Sequence, residues 1–139
     1  MTENASNPNF RPAVDDRLYF RQLLSGRDFA HGDQLATQMV NFAYAIGDRE
    51  TGECFLVDPA YSPAELIEVV GADDMTVTGV LATHYHADHI GGSMMGFDID
   101  GITTLLDTVD CPIHVQAEET EWIRKTTHIS PDHLMEHRS

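Results

Sequence analysis

Positive charge is what this sequence has least of. Lysine and arginine together number 8 against 23 aspartates and glutamates in 139 residues, a formal net charge of -15. The acid is spread along the chain, so its field repels phosphate backbones and anionic lipid surfaces. Nucleic acid and membrane surfaces are therefore not expected as partners, and an anionic substrate would need a metal or a few local cations. No long uncharged apolar run is present, which argues against a membrane span. The opening MTENASNPNFRPAVDD has neither an apolar core nor a small-residue cleavage pattern, so no signal peptide is read there and a cytoplasmic protein is expected. Cysteine is scarce too: Cys54 and Cys111 sit inside the apolar stretches ECFLVD and DCPIHV and read as small core residues, not as a disulfide. There is no internal repeat and no low-complexity segment.

What is present suffices for one packed globule. Apolar residues make up 42% of the chain, and the length allows a single hydrophobic core but not two. Residues 1 to 16 are polar, carry two prolines and read as a loose arm; residues 17 to 139 read as one domain. LYFRQLLSG supplies a first strand, and MVNFAYAIGDRETGECFLVDPA reads as a hairpin, with strands near 39 to 46 and 53 to 58 joined by GDRETG. Ser62, Pro63 and Glu65 have the spacing of a helix start, and TVTGVLATH is a short β-branched strand. Strand, helix, strand in that order implies an α/β sheet layer covered by helices. CPIHVQA reads as a further strand and ETEWIRKTTH as the opening of a helix.

The densest chemistry lies in THYHADHIGG, where His84, His86, Asp88 and His89 leave the end of a strand. Open α/β sheets usually place their sites at such ends. In extended chain His84 and His86 point to the same side and can reach one ion. Asp88 and His89 follow one turn later, where IGGSMMGF is expected to begin a helix whose N-terminal field favours the carboxylate and keeps His89 neutral, the metal-binding form. The loop thus offers two diverging ligand pairs for two adjacent ions, and Gly91 and Gly92 have no side chain to crowd them.

HxHxDH between an apolar strand and Gly-Gly resembles the signature of the metallo-β-lactamase fold superfamily. The NFAYAI strand, the turn, FLVDPA and the following helix resemble it too, in the flavour of the glyoxalase II-like thioesterases and the related persulfide dioxygenases. The resemblance implies an αββα sandwich with mixed sheets and covering helices, of which this chain would be the N-terminal half. It implies one or two metal ions, zinc in the hydrolases or iron in the dioxygenases. His84 and His86 would bind the first ion and Asp88 and His89 the second, with Asp88 also the candidate catalytic residue; Asp58 would accept a hydrogen bond behind the ligand loop. In two-metal members a hydroxide held between the ions attacks a carbonyl carbon while a metal polarises its oxygen.

One departure is read from the same resemblance. The family draws further ligands from a later PGHT-like stretch, which does not occur before HLMEHRS. The domain is therefore expected to be incomplete at its C-terminal side, with a completing chain or a homo-oligomer as a possible partner. Among other histidines, His114 reads as structural within its strand, His133 and His137 are spaced to share a helix face, and His31 is a candidate substrate-facing residue together with Tyr85. Met94 and Met95 are further pocket candidates. The expected activity is hydrolysis of a small acyl thioester. The alternatives are an iron-dependent dioxygenase acting on a persulfide and an inactive, self-associating fragment.

Overall fold

The computed structural model describes residues 16–138; all of the expected N-terminal arm except Asp16 lies outside that range. Six strands form one mixed sheet in the order β1-β2-β3-β4-β7-β8. β1 (Leu18–Leu24), β2 (Phe42–Asp48) and β3 (Glu53–Val57) run antiparallel, and β4 (Thr76–Ala82), β7 (Ile113–Gln116) and β8 (Leu134–His137) join in parallel. The two strands of a small hairpin, β5 (Gly92–Met94) and β6 (Phe97–Ile99), pair apart from this sheet. Among the described residues five α-helices complete the fold: α1 (Gln34–Met39), α2 (Pro63–Ala72), α3 (Ala87–Ile90), α4 (Ile102–Leu105) and α5 (Thr120–Thr127).

The strands alternate as a sheet covered on one side requires. Tyr19 and Leu23, Ala43 and Ala45, Cys54 and Leu56, Val77 and Val80, Ile113 and Val115 are buried in one cluster with Leu66 and Val70 of α2, Ile102 and Leu105 of α4 and Ile123 of α5. The other face carries the cross-strand row Gln22, Tyr44, Val57, Leu81, His114 and Met135, one residue per strand. A second row runs Phe20, Ile46, Phe55 and Gly79. Phe20 is 52% exposed, Phe42 41%, Ile46 41% and Met135 48%, so this second face is apolar and uncovered.

Local chemistry explains the elements that place the site. Ser62 caps α2 by accepting from the Glu65 N–H, with Pro63 in the first turn, as the sequence indicates. Cys54 and Cys111 are free and buried. No helix among the described residues is long and apolar enough to cross a membrane.

Three expectations are corrected. IGGSMMGF forms the β5-β6 hairpin instead of a helix, because Gly91, Gly92, Met95 and Gly96 all adopt positive φ; the helix stops at Ile90 after four residues. Residues 39 to 41 are not strand: Gln34–Met39 is a helix capped by Asp33, whose carboxylate accepts from the Ala36 N–H, and Val40 ends it in the left-handed conformation. His133 and His137 share no helix face. Ser130 and Pro131 start a single tight turn, and His137 lies on β8, its Nε2 2.9 Å from His114 Nδ1.

Candidate metal centre

Asp58 follows β3 in a left-handed conformation, with φ of 53°, and is buried. Its N–H donates to the Leu81 carbonyl on the neighbouring strand, which fixes the carboxylate beneath the histidine loop. Oδ1 accepts from the Thr83 N–H at 2.8 Å and Oδ2 from the Thr83 hydroxyl at 2.6 Å. That hydroxyl lies 2.8 Å from His84 Nδ1. A threonine has one proton to donate and it goes to Asp58, so the His84 contact must have Nδ1–H donating to Thr83 Oγ1. The tautomer follows: His84 keeps Nε2 bare, able to take a metal.

His89 meets the same carboxylate from the other side. Its Nδ1 is buried, has no hydrogen-bond partner and stands 3.4 Å from Asp58 Oδ2, while its Nε2 stands 3.7 Å from Asp88 Oδ2. Ligand-capable atoms of Asp58, His84 and His89 all lie within 4.8 Å of one another, and among the described residues no other group of three metal-capable side chains is recorded. Two imidazoles and a carboxylate around an orphaned buried nitrogen are a donor set that suits a divalent transition metal. Burial, and next to it the neighbouring His89, hold His84 below the usual histidine range, which favours the neutral ligand form.

The remaining loop residues surround this core. His86 is exposed at the start of α3, its ring centroid 4.7 Å from that of His84. Asp88 is held by Asn41, whose side-chain amide donates to both the Asp88 carbonyl at 2.7 Å and its Oδ2 at 2.8 Å. Asn41 is itself fixed through Ser25, which is 1% exposed: its hydroxyl accepts from the Asn41 N–H and its N–H donates to the Asn41 carbonyl. Asn41 belongs to no motif in the sequence, although a polar residue at the mouth of an otherwise apolar strand is a signal. The glycines also serve differently from expectation. A Cβ on Gly91 would lie 2.7 Å from Gly101 Cα, and one on Gly92 2.5 Å from the Thr126 carbonyl oxygen, so they admit neighbouring backbone and not the ligand.

Of the candidates for contact with substrate, Tyr85 packs against His86 with ring centroids 4.9 Å apart and against Trp122 at 5.8 Å. His31 is exposed on a separate loop, where its Nδ1 stands 3.3 Å from Glu65 Oε1. Met94 is partly buried against the core and Met95 is exposed at the hairpin tip. His114, half-buried on the open sheet face, stacks on Phe55 at 5.3 Å, away from the cluster.

The model of the Metallo-beta-lactamase superfamily matches residues 36–134. A hydroxyacylglutathione hydrolase from Rhodopseudomonas palustris is 42% identical over 52 residues, 37% of this chain and 20% of that protein. The cytoplasmic isozyme of hydroxyacylglutathione hydrolase from Saccharomyces cerevisiae is 33% identical over 54 residues, 39% of this chain and again 20% of its relative. The chain thus spans about a fifth of the length of these curated relatives. Among solved structures, a metallo-beta-lactamase from Staphylococcus aureus subsp. aureus COL superposes with a TM-score of 0.56 at 25% identity, covering 86% of this chain and 29% of that one. The BLEG-1 B3 metallo-beta-lactamase gives a TM-score of 0.59 at 22% identity, covering 84% and 53%, a likeness of fold.

Proposed function

Because the chain belongs to the metallo-beta-lactamase superfamily, we propose that it serves metal-dependent hydrolysis of a small acyl thioester. The observation that carries this reading is the convergence of Asp58, His84 and His89 within 4.8 Å around a buried nitrogen that has no partner in the protein. The similarity to hydroxyacylglutathione hydrolases supports the thioester over other acyl compounds.

In this reading His84 and His89 are metal ligands, with His86 and Asp88 completing the loop's contribution. Asp58 acts behind them: both its oxygens already accept from Thr83, it orients His84 through that hydroxyl, and its Oδ2 stands 3.4 Å from His89 Nδ1. Asn41 holds Asp88 Oδ2, the oxygen that stands 3.7 Å from His89 Nε2. A bound zinc ion would supply Lewis acidity toward a carbonyl oxygen and acidify a water. The protein's part is to hold His84 in its neutral form with Nε2 bare and to fix the Asp88 carboxylate through Asn41.

The test is hydrolysis of a hydroxyacylglutathione thioester by the zinc-supplemented chain, beside a β-lactam and a phosphodiester. The proposal expects thioester turnover that His84→Ala and Asp88→Asn reduce by at least about a hundredfold, in line with the loss of metal-assisted catalysis. Turnover equal in wild type and both variants would reject it. Iron retention with oxygen uptake on a persulfide would replace it with the dioxygenase reading.

A further inference from the structure

The single tryptophan of the chain is spent on the surface. Trp122 is 47% exposed on α5, and Tyr85, from the middle of the histidine loop, is 37% exposed beside it. Their ring centroids are 5.8 Å apart, and Tyr85 reaches on to His86 at 4.9 Å, so one aromatic shelf runs from α5 to the rim of the metal centre. Glu119 pins the shelf by accepting the Tyr85 N–H at 2.9 Å.

At the far side of the shelf, the Lys125 ammonium lies over the Trp122 ring, 4.7 Å from its centroid. It also pairs with Glu121 at 3.0 Å, but both side chains are largely exposed, 61% and 70%, and such pairs exchange readily. Lys125 lines a concavity of about 790 Å³ together with Arg124, His128 and its partner Glu121, while Glu136 there is engaged by the Thr120 hydroxyl at 2.6 Å. In a chain with 8 Lys and Arg against 23 acidic residues, the consecutive cations Arg124 and Lys125 on the helix that carries Trp122 stand out.

We propose that Tyr85, Trp122 and Lys125 form a substrate subsite that takes a small molecule with an apolar or flat stem ending in a carboxylate. The stem lies across the two rings, and Lys125 turns from Glu121 to the anion. The subsite answers the electrostatic difficulty of an acidic protein acting on an anionic thioester: the local cation offsets the field that would otherwise repel the substrate. It rests on the hydrolase reading for its purpose but not for its detection.

Trp122 reports on its own surroundings, so binding can be followed by its fluorescence without turnover. The probes are hydrocinnamate and its uncharged counterpart hydrocinnamyl alcohol, titrated into resin-demetallated chain so that the carboxylate meets no metal. Saturable quenching by hydrocinnamate is expected, about threefold weaker in Lys125→Gln and unchanged there for the alcohol. Tyr85→Ala should weaken both probes about fivefold, as loss of one stacking partner implies. An equal effect of Lys125→Gln on both probes, or quenching that is linear and unaffected by either variant, would overturn the proposal. Because no step of the assay needs catalysis, an inactive chain that still shows the charge-selective quenching would retain the subsite and lose only the thioesterase reading.

Discussion

The side chain of Asn41 donates two hydrogen bonds to a single residue, Asp88, one to its carbonyl and one to Oδ2. Asn41 comes just before β2 and Asp88 sits in α3, so this one amide ties the start of an interior strand to the histidine loop across 47 positions of sequence. Asn41→Ala removes both donors without adding bulk. Metal affinity should fall by about 10- to 100-fold, as for other residues that orient ligands. Competition with a chromophoric chelator measures it, and unchanged affinity would show that Asp88 needs no such support.

Asp58 is predicted to matter through its acceptors. Asp58→Asn keeps the shape but turns one acceptor into a donor facing the Thr83 pair, which removes the reason for the His84 Nδ1–H tautomer. Proton NMR of the imidazole nitrogens should show His84 mainly as the Nδ1–H form in wild type and a mixed population in the variant. An identical spectrum would contradict the relay through Thr83.

The backbone approach at Gly91 predicts a large stability effect with no direct chemical role. Its φ is 92° and a Cβ would collide with Gly101, so Gly91→Ala should cost at least about 2 kcal/mol by thermal or urea denaturation. Gly96, at positive φ but with open space around it, should cost only about 1 kcal/mol on the same change.

Burial pushes the Cys54 thiol up to about 11, and Cys111 is raised as well, by burial and by the adjacent Asp110. Both thiols stay protonated at pH 8 in the folded chain and should react slowly with a disulfide reagent, then together and fast in denaturant. The sign for stability follows: a group whose pKa is raised on folding contributes below its unfolded value of 9.0, and that contribution is lost as pH rises toward about 11. Chain stability is therefore expected to fall across that alkaline window, and a Cys54→Ala variant should lose part of the slope.

Legibility in the sequence followed physical range. The α2 start was readable because Ser62, Pro63 and Glu65 act within one turn, and the hairpin because strand alternation and a Gly-flanked turn are local signals. The loop after Ile90 is not legible because an apolar string with two glycines is compatible with helix, whereas the positive φ of Gly91 and Gly92, where the backbone packs against Gly101 and Thr126, is a tertiary fact. The α1 helix hid in a short polar stretch whose one clear mark was Asp33. Within the site, His84 and His89 stand in the motif, but the hydrogen bonds of Asn41 and Thr83 bridge distant segments and leave no pattern in spacing.

The central claim is that His84 and His89, with Asp58 behind them, assemble a site for a metal, and metal content tests it most directly. After exhaustive dialysis with supplied zinc and iron, the wild-type chain should retain about one ion per chain by elemental analysis. His84→Ala and His89→Ala, each checked for an unchanged cooperative melt, should retain almost none. Stoichiometric metal in both variants, or none in a folded wild-type chain, would contradict the account.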